Sequence, residues 1–336
     1  MDAQVIVVPD PAALAAKAAE RFAAAAQEAV PSRGRFGVAL SGGSTPRALF
    51  RVLASEPYQG QIPWAQTHIF WGDERCVPPN DPNSNYYLAH ETLLDHISIR
   101  PENIHRIRGE LEPEAAARAY DRELQDVYCG PRPRFDLVLL GLGRDGHTAS
   151  LFPGSPALHE AEQLAVAVQA EYEDRPAQRV TLTLPAIKTA RQVLFLVAGA
   201  DKSEIVRAVL EGPGGQLPAQ MVSPTAGRFV WLLDAAAASQ LTANAQPAEP
   251  PASGTSAAAD ASVAVESRGE VTIIADEDNN AILVMASPGD YRAIEAAIRK
   301  LDIPPRQVLI NATIAEVTLG NSLDHGVRWF LDNSRA

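Results

Sequence analysis

Along the first 241 positions the apolar residues fall into short, nearly unbroken runs: Gln4–Val8, Phe36–Leu40, Thr67–Trp71, Phe135–Leu140 and Gln192–Ala198. Strands covered on both faces read this way, because neither face is left for polar side chains. Between the runs, apolar positions recur at helical spacing. Asp10-Pro11 supplies an N-cap and a proline for the first helical position, and Leu14, Ala18 and Phe22 follow at intervals of four. Asp201-Lys202-Ser203-Glu204 predicts a capping box that opens a helix through Leu210, closed by Gly212 and Pro213. Strands alternating with helices predict an α/β fold built on a doubly wound, mostly parallel sheet. Ligands of such sheets sit at the carboxyl ends of the strands, where the loops gather.

The pattern then breaks. Residues 242–264, TANAQPAEPPASGTSAAADASVA, hold one large apolar side chain, Val263, among Pro, Ala, Ser and Gly, which predicts a disordered linker. Beyond it, Glu270–Ala275 and Ala281–Ala286 are β-rich runs around the turn residues 276–280. A helix opened by Pro288 carries Tyr291, Ile294, Ile298 and Leu301 on one face, and Gln307–Leu319 alternates as a long strand. The chain is therefore expected to comprise an α/β unit over 1–241, the linker, a small α+β module over 265–305 and a final segment over 306–336. No internal repeat links the two parts.

Composition narrows the function. Among 336 residues, 46% are hydrophobic and 21% charged, as in ordinary soluble domains. No apolar run approaches the roughly 20 residues of a membrane helix. The N-terminus, MDAQVIVVPDP, lacks a basic region before its short apolar stretch, so it reads as a first strand and the protein is expected in the cytoplasm. Two cysteines, Cys76 and Cys129, fit a reducing compartment and show no metal-ligand spacing. The net charge of −12 argues against nucleic acid as a partner. An anionic substrate must then be held by a local site, since the global field repels it.

Three segments after three of the strands carry the candidate chemistry. Ser41-Gly42-Gly43-Ser44-Thr45-Pro46 leads from the second strand into a helix beginning at Pro46, with Thr45 able to cap it. It is either a plain strand-to-helix turn or an anion cradle of backbone N–H groups. Gly72-Asp73-Glu74-Arg75 follows the third strand; elsewhere such a cluster would be a solvated loop, but here it sits at the ligand edge. The turn-rich residues 80–85 can fold over the same place. The third segment, Gly141 to Pro153, sets His147 between a glycine-rich turn and an expected helix start. A lone histidine is often structural; at a strand end, near neutrality, it is also a general base in waiting. GxSxG, GxxxxGK[ST] and HExxH are all absent from the sequence.

The set SGGSTP (41–46), FWGDERCVPPNDPNSN (70–85), LLGLGRDGHTASLFPG (139–154), RVTLTLPAIKTARQVLFLVAGADKSEIVRAVLEG (179–212) and Trp231-Leu232-Leu233-Asp234 resembles the 6-phosphogluconolactonase family. SGGSTP is shared with glucosamine-6-phosphate deaminases, whereas Asp145-Gly146-His147-Thr148-Ala149-Ser150 favours the lactonases over a deaminase-like isomerase. The resemblance implies a Rossmann-like fold and hydrolysis of 6-phospho-D-glucono-1,5-lactone without metal or cofactor. It implies His147 as general base, Arg75 with backbone N–H groups stabilising the oxyanion, and Asp73 binding hydroxyls or orienting Arg75. Ser44, Thr45 and Lys202 would hold the phosphate, and Ser41, Gly42, Gly43, Gly143, Asp145 and Gly146 would complete the substrate site. One departure is Ser223, before Pro224, where a basic residue is expected. Residues 270–303 resemble the small ring-building N-domain of bacterial secretins, and 304–331 the start of a secretin barrel. That implies self-association through the C-terminal module, and leaves an assembly module carrying a passenger domain as the alternative to an enzyme with a passive tail.

Overall fold

The computed structural model describes residues 3–128, 133–170, 176–242, 272–276 and 281–285. The strands are β1 Gln4–Val8, β2 Phe36–Leu40, β3 Thr67–Trp71, β4 Asp73–Arg75, β5 Leu137–Leu140, β6 Ala165–Gln169, β7 Gln178–Leu182, β8 Gln192–Val197, β9 Arg228–Asp234, β10 Thr272–Asp276 and β11 Ala281–Met285. The helices are α1 Pro11–Arg33, α2 Ser44–Leu53, α3 Tyr58–Gln61, α4 Asn85–Thr92, α5 Pro113–Tyr128, α6 Leu184–Lys188, α7 Ser203–Glu211 and α8 Pro218–Met221.

Six strands form an all-parallel sheet in the order β1-β9-β8-β5-β2-β3. From β2 the chain proceeds outward to β3, then returns to place β5 on the other side of β2. The segments after β2 and β5 therefore diverge and leave a crevice between their carboxyl ends. The five predicted runs become five of these six strands with small trims, Phe135 and Asp136 preceding β5 and β8 ending at Val197, while β9 is not among the predicted runs. Asp136, just before β5, is tied to β2 on both its backbone and its side chain: its N–H donates to Gly37 O and its carboxylate accepts the Gly37 N–H, both at 2.8 Å.

Continuous apolar strands need cover on both faces, and helices provide it. Leu14, Ala18 and Phe22 of α1 are fully buried, as their spacing predicts. Asp10 caps that helix, its Oδ1 accepting the Ala13 N–H at 2.8 Å. Asp10→Ala is expected to lower unfolding stability by about 1 kcal/mol, read from a urea titration, while leaving activity unchanged.

Two helix starts differ from the sequence reading. α2 begins at Ser44, not Pro46, and its N-cap is Gly43 at φ 107°, so Thr45 lies inside the first turn and caps nothing. The capping box at Asp201 does not form. Gly199, at φ 103°, turns the chain into a 3₁₀ turn over Ala200–Lys202, which places Asp201 within the turn and makes Lys202 the N-cap of α7. The Gly199 N–H is held by the buried carboxylate of Asp234 at 3.0 Å, and Asp201 instead pairs with Arg144 at 3.1 Å.

A second, three-stranded antiparallel sheet, β4-β7-β6, stands beside the first. Gly72 joins them: its N–H donates to Leu40 O and its carbonyl accepts from Leu182 N, both at 2.8 Å. The segment Asp73-Glu74-Arg75, read from sequence as a loop, is thus a strand.

By its contacts the chain divides into two units, Met1–Ala252 and Ser253–Ala336. In the second, β10 pairs antiparallel with β11, Thr272 opposite Met285 and Asp276 opposite Ala281, and residues 277–280 of the expected turn lie outside the described residues. The linker residues 243–264, the expected helix from Pro288 and the strand Gln307–Leu319 lie outside the described residues.

Candidate active site

Strand pairing decides which side chains meet at the crevice. In the β4–β7 ladder Arg75 lies opposite Arg179 and Asp73 opposite Thr181, with Glu74 and Val180 between. Because successive side chains alternate faces, Asp73, Arg75, Arg179 and Thr181 share one face and Glu74 takes the other. That first face forms a wall of a cavity of about 200 Å³ whose other sides are Ser41, Gly42 and Gly43 after β2, Gly141–Gly143 after β5, and His147, Asn85 and Lys202.

Glu74, 2% exposed, organises the segment that closes the cavity. Its Oε1 accepts from Arg75 N (2.8 Å) and Asn85 N (2.7 Å), and its Oε2 from Ser84 Oγ (2.9 Å) and Tyr86 N (2.7 Å). Burial pushes the Glu74 carboxyl up from its ordinary value, against the pull of these four donors. The carboxylate so anchors the N-terminus of α4, where negative charge is favoured. Residues 80–85 consequently do fold over the site. Asn83 O accepts from an Arg75 terminal nitrogen, and Asn85 Nδ2 donates to the Asp73 carbonyl at 2.8 Å and to its carboxylate at 3.3 Å. Gly42 is required beneath: a Cβ there would run into Asn85 Oδ1.

Asp73, 6% exposed, also accepts from Ser150 Oγ at 2.6 Å, which fastens the third segment to β4. The helix expected after His147 is absent among these residues. The chain instead makes a tight turn, Leu151 N donating to Thr148 O at 2.9 Å with Ala149 at φ 49°, because Thr148 Oγ1 bonds back to Gly141 O and Ser150 is committed to Asp73.

The turn over residues 143–147 aims the histidine. Gly143 N donates to His147 O at 2.8 Å, and the imidazole lies so close to Gly143 that any Cβ there would strike it. His147 Nδ1 and Asp145 Oδ1 are 2.5 Å apart, and the same oxygen accepts the His147 backbone N–H at 3.2 Å. With Nδ1–H directed at the carboxylate, Nε2 is the basic nitrogen. Burial works to raise the Asp145 carboxyl, but the His147 hydrogen bonds and charge outweigh it and hold it below its ordinary value. Phe152 packs between the two walls, its ring 4.8 Å from the His147 ring and 5.9 Å from the Arg179 guanidinium.

Of the residues expected in the site, Ser41, Gly42, Gly43, Asp73, Arg75, Gly143, His147 and Lys202 line the cavity. Ser44 and Thr45 do not; they ride on the first turn of α2, Ser44 exposed. Asp145 and Gly146 are also off the wall. Asp145 is not suited to an anion, and its carboxylate is bound to His147; Gly146, at φ 82°, shapes the turn. Ser223 is exposed and off the wall. A cation that sequence reading missed, Arg179, is 4% exposed and stands beside Arg75. Its signal was the alternation Arg179-Val180-Thr181-Leu182, which puts Arg179 and Thr181 on one face of a strand. The neighbouring Cys76 thiol is pushed up to about 11 by burial and by Glu74, Glu114 and Glu112, so it is no nucleophile at neutral pH.

The family profile described as glucosamine-6-phosphate isomerases/6-phosphogluconolactonase matches residues 9–231, and that of the bacterial type II/III secretion system short domain matches 203–307. The second match reaches back across α7 and β9, which belong to the α/β unit. A 6-phosphogluconolactonase of Haemophilus influenzae is 43% identical over 202 residues, covering 60% of this chain and 85% of that protein. One from a Nostoc species is 38% identical over 248 residues, covering 72% and 100%. The solved 6-phosphogluconolactonase of Trypanosoma brucei matches with a TM-score of 0.64 at 30% identity, covering 72% and 99%. A monomeric glucosamine-6-phosphate deaminase, at 24% identity and TM-score 0.60, shares the fold. The chain belongs to the glucosamine-6-phosphate isomerase/6-phosphogluconolactonase family.

Proposed function

We propose that the α/β unit hydrolyses 6-phospho-D-glucono-1,5-lactone to 6-phosphogluconate, the lactone step of the oxidative pentose phosphate pathway, with His147 as general base. The observation that carries this reading is the His147–Asp145 pair, propped on Gly143 and facing three cations across one small cavity. His147 Nε2 takes a proton from water as the water oxygen bonds to the lactone carbonyl carbon. Negative charge builds on the carbonyl oxygen and is met by backbone N–H groups of the two glycine segments and by the Arg75 guanidinium; one such donor contributes about 3 kcal/mol. When the intermediate collapses, the bond from the carbonyl carbon to the ring oxygen breaks, and His147 returns the proton to that oxygen. Asp145 orients the imidazole and stabilises its charged form. Arg179 and Lys202 answer the phosphate dianion, with Arg75 adding to the positive field, where a chain of net charge −12 would otherwise repel it. Asp73, tied by Ser150 and Asn85, is placed to accept sugar hydroxyls.

A hydrolysis assay on freshly made 6-phosphogluconolactone beside unphosphorylated gluconolactone tests the reading. A preference for the phosphorylated lactone of at least a hundredfold in kcat/KM is expected, and comparable values contradict it.

The division of labour along the chain is part of the same proposal. The catalytic unit ends near Leu241, and the C-terminal module, similar to a secretin N-domain, self-associates without acting in catalysis; sedimentation of the full chain tests the association. Cysteine usage supports a reducing, cytoplasmic setting. Thr242 is the last tie on the catalytic side, its N and Oγ1 both 2.7 Å from Glu211 Oε1. Ending the chain after Thr242 is expected to leave kcat/KM and the thermal midpoint unchanged, since residues 243–264 carry too little apolar surface to dock. A large loss of either would refute the division.

A further inference from the structure

A second concentration of positive charge lies at the opposite, amino edge of the parallel sheet. There β5, β8 and β9 start side by side. Arg33 ends α1, Arg134 precedes β5, Arg191 precedes β8 and Arg228 is the first residue of β9. β8 alone, six residues long, separates this edge from the catalytic cavity by roughly 20 Å. Among the described residues two carboxylates, Asp136 and Glu28, answer the four guanidinium groups, leaving a local excess of two positive charges. Asp136 accepts Arg33 Nε on Oδ1 at 2.8 Å and the Gly37 N–H on Oδ2 at 2.8 Å. Glu28 lies 3.4 Å from an Arg228 terminal nitrogen.

This excess is felt locally. Burial, then Arg134 and Arg33, hold the Arg191 guanidinium below its ordinary value; burial, then Arg228, do the same to Arg21 on α1. Donors outnumber acceptors too. Arg191 Nε and Gln192 Nε2 are buried and have no hydrogen-bond partner among the described residues. Arg191 Nε is 3.4 Å from Asp136 Oδ1 and makes no hydrogen bond to it. Gln192 itself is 5% exposed. A cavity of about 80 Å³ opens among Glu28, Arg33, Asp136, Arg191, Gln192 and Arg228. At about 30 Å³ per water it holds two or three waters, the scale of one small oxyanion.

Buried donors without acceptors are costly, and so is uncompensated like charge. One tetrahedral anion relieves both. We propose that this amino-edge pocket binds a phosphate-type oxyanion, held chiefly by Arg191 and Arg228, with Arg33 and the Gln192 amide completing the cradle. Arg33 contributes least because Asp136 already engages it. The same chemistry is presented by free phosphate and by the phosphoryl group of a metabolite, and the exposed Arg228 side chain, 70% accessible, leaves a mouth through which either can enter.

Isothermal titration of the full chain with inorganic phosphate, and separately with glycerol 3-phosphate, tests this, alongside sodium chloride at matched ionic strength. Phosphate is expected to bind a site whose affinity falls tenfold or more in Arg228→Gln and which disappears in Arg191→Gln/Arg228→Gln, with KM for the phosphorylated lactone unchanged in both. Binding of glycerol 3-phosphate at the same site identifies a metabolite phosphoryl group as an occupant; its failure there assigns the site to the free ion. Should the double variant misfold for want of the Asp136 contact, Arg228→Gln alone decides, since its side chain is largely solvated. Unaltered phosphate isotherms in Arg228→Gln overturn the proposal. So does an equal response to sodium chloride, or a rise in KM that tracks the lost phosphate binding, which would place the effect in the catalytic cavity.

Discussion

His147→Ala is expected to lower kcat by at least a hundredfold on 6-phosphogluconolactone while the protein stays folded. A positioned general base is worth about 10²–10⁴-fold. The imidazole here is held on three sides, by the Asp145 carboxylate, the Cα of Gly143 and the ring of Phe152, so that Nε2 has little freedom to miss its water. Its side chain is 19% exposed and rests on a loop outside the main core, so its loss costs local packing but leaves the core intact. Circular dichroism should therefore match the parent protein, with the thermal midpoint lowered by no more than a few degrees. Near-normal turnover in that folded variant would remove His147 from the mechanism. The structure also separates chemistry from binding: because His147 does not belong to the cationic wall, KM should move far less than kcat.

How far the sequence could be read depends on what each element must bury. Five of the six parallel strands were legible because both faces are covered, which leaves runs such as Phe36–Leu40 without a polar position; β9, opened by Arg228 and closed by Asp234, was not singled out. α1 was legible through Asp10-Pro11 and its four-residue apolar spacing. The small sheet was not. β4 is three residues long and reads Asp-Glu-Arg, a composition that belongs to loops unless its polar atoms find partners. Here they do: Glu74 collects four donors and Asp73 takes Ser150 and Asn85. Apart from Arg75 N, those partners come from residues 84–86 and 150, a long-range fact that no local pattern carries. Helix starts failed for a different reason. Gly43 and Gly199 adopt positive φ, and each turn moves the first helical residue away from the side chain that looked like a cap. His147 could be found because three glycines surround it. Arg179 could not be ranked, since one arginine at the head of an alternating strand says nothing of what lies across the ladder.

That ladder motivates the second large effect. Arg179→Ala is expected to lower kcat/KM for the phosphorylated lactone by tenfold or more, chiefly through KM, and to leave kcat/KM for unphosphorylated gluconolactone within about twofold. A charge-assisted hydrogen bond to a phosphate contributes about 1.5–3 kcal/mol, which is a factor of roughly ten to a hundred. Arg179 is suited to this role because it lies opposite Arg75 in the β4–β7 register, on the cavity face, with Phe152 fixing its planar head. At 4% exposure the side chain also fills space, so the alanine variant will lose some stability. The ratio of the two substrates guards against that loss being misread: a folding or packing defect lowers both, whereas removal of an anion contact lowers one. Arg179→Lys adds a control, keeping the charge while losing the planar fork, and should recover part of the preference. If both substrates suffer alike in Arg179→Ala, the arginine supports the wall structurally and the phosphate is held by Lys202 without it.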